Sequence, residues 1–349
     1  MVRPARDGRH LADLVQMAIP LCKAAQAKIA RRGPGRPPVF EEWQIAVLIV
    51  IAIFHKQKSK SSQWRFLHKR QEQLTAALQL TQFPCRDTYS RRYCNAHRLL
   101  DIAIELQGRV ALKERVCDAE VVAIDKSLVE ARGPHPRHGK MRRGTDRQAG
   151  WGVSDHDGML WSFSYEAVVT APKKGLVFPL LASVDIGSRS EHKSVMQKIP
   201  RLPPSIHDAL LDGGYDGNAP AEALEYDANG KRTKKRYVCP LISRCGKPAV
   251  GKCVHRGRRE QLRLHRKKRQ EFFASRKGRS LYKRRRQTIE PFNAHLKKLF
   301  ELEDRVWHRG LDNNRSMILG AIFGYQLLIR YAFKQGQRNR QLQWILDGL

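Results

Sequence analysis

The amino-acid sequence predicts an α/β protein, a mixed sheet flanked by helices and preceded by an all-helical segment. Three observations predict it. Apolar residues up to about position 115 recur at helical spacing, short β-branched runs begin at 119, and the later segments alternate between strand-like and helix-like before two closing helices. A chain of 349 residues with 41% hydrophobic content can bury a large core, as two domains or as one catalytic domain with a smaller one attached.

The helical segment is taken as residues 1–115, a DNA-binding domain by expectation. RRGPGRPPVF at 31–40 breaks it, and EEWQIAVLIVIAIF follows as an apolar helix. In FPCRDTYSRRYCNAHRLL, Pro84 and the pair Asp87/Thr88 open a short basic helix carrying Arg91 and Arg92. That is the outline of a helix-turn-helix whose arginines would meet DNA, set against an ordinary bundle with basic faces. The catalytic segment is taken as 119–335. EVVAID at 120–125 reads as a strand, and WGVSDHDGMLWSFSYEAVVTA at 151–171 as two antiparallel strands joined at Asp157-Gly158. FPLLASVDI at 178–186 supplies another strand, EHKSVMQKIP at 191–200 a helix, IHDALLDGGYDG at 206–217 a strand entering a glycine turn, and RYVCPLIS at 236–243 a last strand. A basic insertion is expected at about 243–281, helices near 284–303 and 313–335, and a tail over 336–349. No internal repeats occur.

The chain has 66 Lys and Arg against 33 Asp and Glu, a formal charge of +33, which favours a polyanionic partner, double-stranded DNA first. From Lys231 to Arg286 there are 23 Lys or Arg and two acids, Glu260 and Glu271, so the charge is concentrated inside the chain and interrupted by apolar segments. The apolar runs Ile45 to Phe54 and Met317 to Tyr325 fall short of the ~20 residues that span a bilayer and read as buried helices. With no apolar leader after MVRPARDGRH, no membrane partner and a cytoplasmic, nucleoid-associated location are expected. Seven cysteines read as reduced thiols. Cys239, Cys245, Cys253 and His255 could bind zinc, but they lack the tightly paired ligands of a zinc knuckle, and zinc is not expected.

Three acids stand where chemistry could be done. Asp125 ends one strand, Asp212 ends another before Gly213-Gly214, and Glu290 lies on a later helix. Carboxylates that close repel unless cations join them, and hard oxygen donors suit Mg²⁺ or Mn²⁺. Two such ions roughly 3.5–4 Å apart can serve both oxygens of an in-line phosphoryl transfer. Each acid also has an ordinary reading, as a turn residue or a helix ion pair. Asp216, Asp185, Asp118, Glu120 and Glu130 compete, and His135 and His138 fall in a loop expected to meet DNA.

AIDKSLVEA at 123–131, LLDGGYDG at 210–217 and RRRQTIEPFNAHLKKLF at 284–300 resemble the signature blocks of bacterial insertion-sequence transposases of the DDE type. The resemblance covers about 119–335. It implies an RNase H-like core in which Asp125, Asp212 and Glu290 are catalytic and hold Mg²⁺ or Mn²⁺, two ions by expectation. Arg286, four before the glutamate, and Lys297, seven after it, would bind DNA phosphates. Tyr282 is similar to the tyrosine before this arginine but lies four residues ahead where three is usual. Arg284 and Arg285 belong to the same basic stretch and are expected on DNA with it. Such enzymes bind the inverted-repeat ends of their element, cleave phosphodiester bonds there and transfer the 3′ hydroxyl to target DNA, so a homodimer on DNA is implied. A non-catalytic transposase-derived regulator, or an RNase H-like nuclease without strand transfer, are the alternatives.

Pro291 directly follows the glutamate. If a helix begins there, Glu290 is its N-cap; if it begins near Tyr282, Pro291 removes the amide that would bond back to Gln287.

Overall fold

A computed structural model describes residues 9–29, 38–154, 158–227, 229–241, 256–337 and 342–349. Six helices come first: α1 (Arg9–Ala27), α2 (Glu42–Phe54), α3 (Lys60–His68), α4 (Gln71–Ala77), α5 (Arg86–Tyr93) and α6 (His97–Lys113). Every residue of α2 from Trp43 to Phe54 is buried, as a helix apolar on all sides requires. Then follow β1 (Val121–Glu130), β2 (Gly150–Ser154), β3 (Gly158–Thr170), β4 (Pro179–Ile186), α7 (Glu191–Lys198), β5 (Asp208–Leu210), α8 (Asn218–Glu225) and β6 (Arg236–Val238). Helices α9 (Arg256–Ala274), α10 (Arg276–Leu299), α11 (Leu311–Lys334) and α12 (Leu342–Asp347) complete the order.

The sheet is RNase H-like and mixed. β3 pairs antiparallel with β1 on one side and with β2 and β4 on the other, while β5 and β6 continue parallel to β1. β2 and β3 form the expected hairpin; Asp157 lies outside the described residues. Val122 to Ile124, Phe163, Val168 and Val169 are buried in the middle of the sheet; α10, α11 and α6 pack on β1, β3 and β4, α8 packs on β6, and α7 reaches β3 through Lys198 and Glu166.

The N-terminal helices share the core of the sheet. α6 packs on β4 and α11, and α2 packs on α11, where a Cβ at Gly320 would lie 2.7 Å from Ile53 Cδ1. That glycine permits the close helix approach. Arg330 of α11 donates to both carboxylate oxygens of Glu114, at 2.5 Å each, and Arg201 reaches Asp101 and Glu105 at 3.1 and 2.8 Å. Helix α11 is long and apolar enough to cross a membrane by length and composition, yet 94% of that stretch is buried inside the protein.

Several expectations change in detail. β6 stops at Val238 instead of running to 243, and residues 242–255 lie outside the described residues. The described part of the basic insertion is helical, as α9 and the first turns of α10. α10 begins at Arg276 because Ser275 breaks the chain there and caps it, its hydroxyl accepting the Gly278 amide at 3.0 Å. It then runs on through Pro291, so Glu290 is not an N-cap. The buried stripe Ile289, Phe292, Leu296 and Leu299 carries the helix across the proline. In the 336–349 segment α12 folds back, burying Leu342, Ile345 and Leu346.

Candidate active site

The register of two parallel strands sets the first pair of acids side by side. Ala123 on β1 is opposite Leu210 on β5, and Asp125 and Asp212 each follow two residues later. Parallel neighbours lie about 4.8 Å apart, so the two carboxylates leave the same edge of the sheet close together. Asp212 begins a tight turn, Gly213–Tyr215, with its Oδ1 accepting the Gly214 amide at 2.9 Å. The Cys239 thiol donates to the Asp212 carbonyl at 2.8 Å, tying this turn to the end of β6.

Helix α10 crosses over that edge and buries Arg285 against it. Arg285 Nη2 lies 2.9 Å from Asp125 Oδ1 and 3.4 Å from Asp212 Oδ2, while Nη1 lies 4.0 Å from Glu290 Oε1. One guanidinium therefore contacts all three predicted acids. Its side chain is 8% exposed, against 57% for Glu290, and its buried Nε has no hydrogen-bond partner. Burial pushes the Asp125 carboxyl up to about 6, with the charge of Asp212 adding to the effect and Arg285 opposing it.

A fourth acid approaches from the other layer. Glu191, the first residue of α7, sits beside the Gly213–Tyr215 turn, and burial together with the Asp212 charge raises it to about 7. Lys126, next to Asp125, bonds to the carbonyls of Gly187 and Arg189 at 2.7 and 3.0 Å and so holds the loop that leads into α7. Beneath it, buried Glu166 is bonded by Lys198 at 2.6 Å and by the Tyr215 hydroxyl at 2.7 Å.

The remaining predicted residues divide. Arg286 is exposed on α10 and Arg284 is half-buried. Tyr282 packs edge-on against Phe273, ring centres 4.9 Å apart. Lys297 donates to the Leu128 carbonyl of β1 at 2.7 Å, which fastens α10 to the sheet. Arg91 is exposed on α5, whereas Arg92 bonds to Glu42 at 2.8 Å and to the Phe40 carbonyl. Arg285, expected on DNA with its neighbours, points into the acid cluster, as its place on the buried side of α10 dictates. Among the competing acids, Asp216 is paired with Arg266 at 2.6 Å and Asp185 with Arg189 at 3.3 Å. Of the cysteine and histidine group, Cys239 is buried near the site, and Cys245, Cys253 and His255 lie outside the described residues.

Sequence reasoning missed the inward turn of Arg285 and the presence of Glu191 and Glu166. For Arg285 a signal existed: it lies four after Leu281 and four before Ile289, within the apolar stripe. For Glu191 and Glu166 none did, because only the fold brings them near Asp212.

Among the described residues no three His, Cys, Asp or Glu side chains stand close enough to enclose an ion as they are, with Arg285 between the acids. The donor chemistry nonetheless fits a hard divalent cation: the converging atoms are carboxylate oxygens, and three acids share one buried positive charge. No curated protein matches the chain. The family model described as "Transposase DDE domain" matches residues 117–327, more than half the chain and all of the sheet and acid cluster, and the chain belongs to that family of transposases.

Proposed function

We propose that this transposase binds the inverted-repeat ends of an insertion sequence, cleaves phosphodiester bonds there and joins the freed end to target DNA. The observation that carries the proposal is the convergence of Asp125, Asp212 and Glu290, from three separate elements, on the single guanidinium of Arg285. Asp125, Asp212 and Glu290 would hold Mg²⁺ or Mn²⁺, two ions by the proposal. When bound, such ions supply charge neutralisation at the phosphate oxygens and a lowered pKa for an attacking hydroxyl.

The chain's own groups then have separate tasks. Asp125 and Asp212 are fixed by strand register, so they need little reorganisation to meet a cation. Arg285 balances part of their charge in the cation-free protein and must release them for cations to enter. Once displaced, its guanidinium is positioned to bond a phosphate oxygen at the same edge. Exposed Lys267, Lys268, Lys277, Arg279, Lys283 and Arg286 on α9 and α10 offer DNA phosphates a basic surface leading to the site. Arg284, Tyr282 and Lys297 flank that path, and Arg91 on α5 is the residue of the N-terminal helices offered to DNA; Arg92 stands beside it, held by Glu42. Base readout is assigned to those N-terminal helices. Joining two element ends calls for two copies, so the acting form is a homodimer on DNA, in the cytoplasm at the nucleoid.

The test is a labelled terminal-repeat duplex incubated with the full chain and Mn²⁺ or Mg²⁺, with a supercoiled target present. Nicking at the end and joining to the target are the expected products, and Asp212→Asn or Glu290→Gln should reduce both at least about a thousandfold, near 4 kcal/mol of activation free energy. Nicking without joining would indicate a nuclease. Binding without either, unchanged in the variants, would indicate a regulator.

A further inference from the structure

The Gly213–Tyr215 turn separates two groups of charge, and Asp212 faces both. Its Oδ2 points to Arg285, which also holds Asp125, while its Oδ1 lies with the Gly214 amide on the side of α7. On that side stands Glu191. A Cβ built at Gly214 would lie 2.1 Å from Glu191 Oε2 and 3.1 Å from Asp212 Oδ1, so the two carboxylate oxygens are no farther apart than those distances combined. A side chain at position 214 would oblige the Glu191 carboxylate to shift from where it stands. Lys126 bears on Glu191 with positive charge, but its ammonium is already bonded to the carbonyls of Gly187 and Arg189, whereas Asp212, Glu166 and Asp125 bear on it with its own sign.

An ordinary acid in the first turn of a helix is stabilised by the helix dipole and turns toward water. Glu191 does the first and not the second: it is half-buried and near another carboxylate, an arrangement that repels until a cation joins the pair. Resting on the function argued above, we propose that Glu191 is a fourth carboxylate of the cation site, holding one divalent ion together with Asp212 on the Gly214 side. Asp125, Asp212 and Glu290 hold the other from the α10 side. The site is then closed by both layers that cover the sheet, α10 supplying Glu290 and α7 supplying Glu191. Asp212, half-buried at the head of the turn with one oxygen toward Arg285 and the other toward Gly214, would serve both ions.

The experiment is a Mn²⁺ titration of the full chain without DNA, followed by calorimetry and by the electron paramagnetic resonance signal of free Mn²⁺. Wild type should take up two ions. Glu191→Gln should weaken one of them at least about tenfold, the scale on which groups around a metal site act, and leave the other. Gly214→Ala keeps all four acids but forces Glu191 away from Asp212, and it should produce the same loss. Glu72→Gln, which removes an exposed first-turn acid from α4, should change nothing. A folded Glu191→Gln protein that binds two ions with wild-type affinity overturns the inference, and if Asp212→Asn is weakened in the same titration the proposed function stands without it. Should Asp125→Asn and Asp212→Asn both bind as wild type does, the metal-site assignment falls, and Glu191 with it. If Glu191→Gln does not fold, Gly214→Ala decides the matter alone.

Discussion

Glu166, buried, and Asp125, mostly buried, are carboxylates on adjacent strands, one residue apart in register, on opposite faces of the same sheet: Asp125 stands opposite Ala167, and Lys126 opposite Glu166. Glu166 is fully provided for. Lys198 donates to it at 2.6 Å and Tyr215 at 2.7 Å, and the ammonium is further bonded to the hydroxyls of Ser183 and Ser194 at 2.5 and 3.0 Å. One charge meets one charge, and each has hydrogen bonds to spare. Asp125 has only a share of Arg285, which it divides with Asp212 and Glu290. A fold that matches a buried acid so completely on one face could have done so on the other. The shortage of positive charge around Asp125 is therefore a property of the site, and it is what the proposed function asks of a face that would receive a cation and a phosphate.

Breaking the matched face should give the largest loss of stability. Lys198→Ala leaves Glu166 buried beside hydroxyls alone, and removing one partner of a buried pair costs about 3–5 kcal/mol. Chemical denaturation of the variant should show that loss as a lowered midpoint at unchanged slope. Replacing both partners, as Glu166→Gln with Lys198→Met, should recover more than half of it, because no unpaired charge then remains. A Lys198→Ala protein as stable as wild type would remove the contrast between the two faces.

The contrast was only partly legible beforehand. Asp125 and Asp212 could be read because each ends an apolar run, and Glu290 because a recognisable block surrounds it. The mixed sheet could be read from alternation, as in β3, whose long β-branched and aromatic run has no competing helical period. Most of what was not read depends on contacts distant in sequence. Pro291 argues locally for a helix start or a break, yet Ser275 had already started α10, and buried Ile289 and Phe292 on either side keep it going. Arg285 and Arg286 are indistinguishable as letters. Only the 3.6-residue period places the first under the helix and the second on top of it. The value of Glu191 depends on α7 docking beside the Asp212 turn, about which the string EHKSV is silent.

Neutralising the mismatched face should do the reverse of Lys198→Ala and add stability. The folded Asp125 carboxyl titrates at about 6, above its ordinary 3.8, so the folded protein holds this proton more tightly than the unfolded chain. Ionising it costs the fold: the cost is absent below about pH 4, grows between pH 4 and 6, and is complete above 6. Asp125→Asn should therefore raise stability at pH 7.5 by up to about 3 kcal/mol in metal-free buffer, with the gain fading as the pH falls to 4, while end cleavage is lost. Melting curves of the two proteins at pH 4.5, 6 and 7.5 check this, and a gain that is the same at all three would assign it to something other than the charge.

Glu290→Gln separates crowding from burial. Glu290 belongs to the same cluster and shares the same arginine, but it is 57% exposed and stands 4.0 Å from Arg285, where water screens most of the interaction. If like-charge crowding alone made Asp125 costly, removing the Glu290 charge would relieve it and the metal-free protein would gain stability comparable to Asp125→Asn. If burial dominates, as the first cause of the Asp125 shift implies, Glu290→Gln should leave stability within about 0.5 kcal/mol of wild type at pH 7.5. Cleavage should fall nonetheless, because an exposed acid contributes little to the fold yet can reach a bound cation. Measured side by side, the two variants say whether the site stores its strain in desolvation of one strand aspartate or in repulsion spread over all the acids.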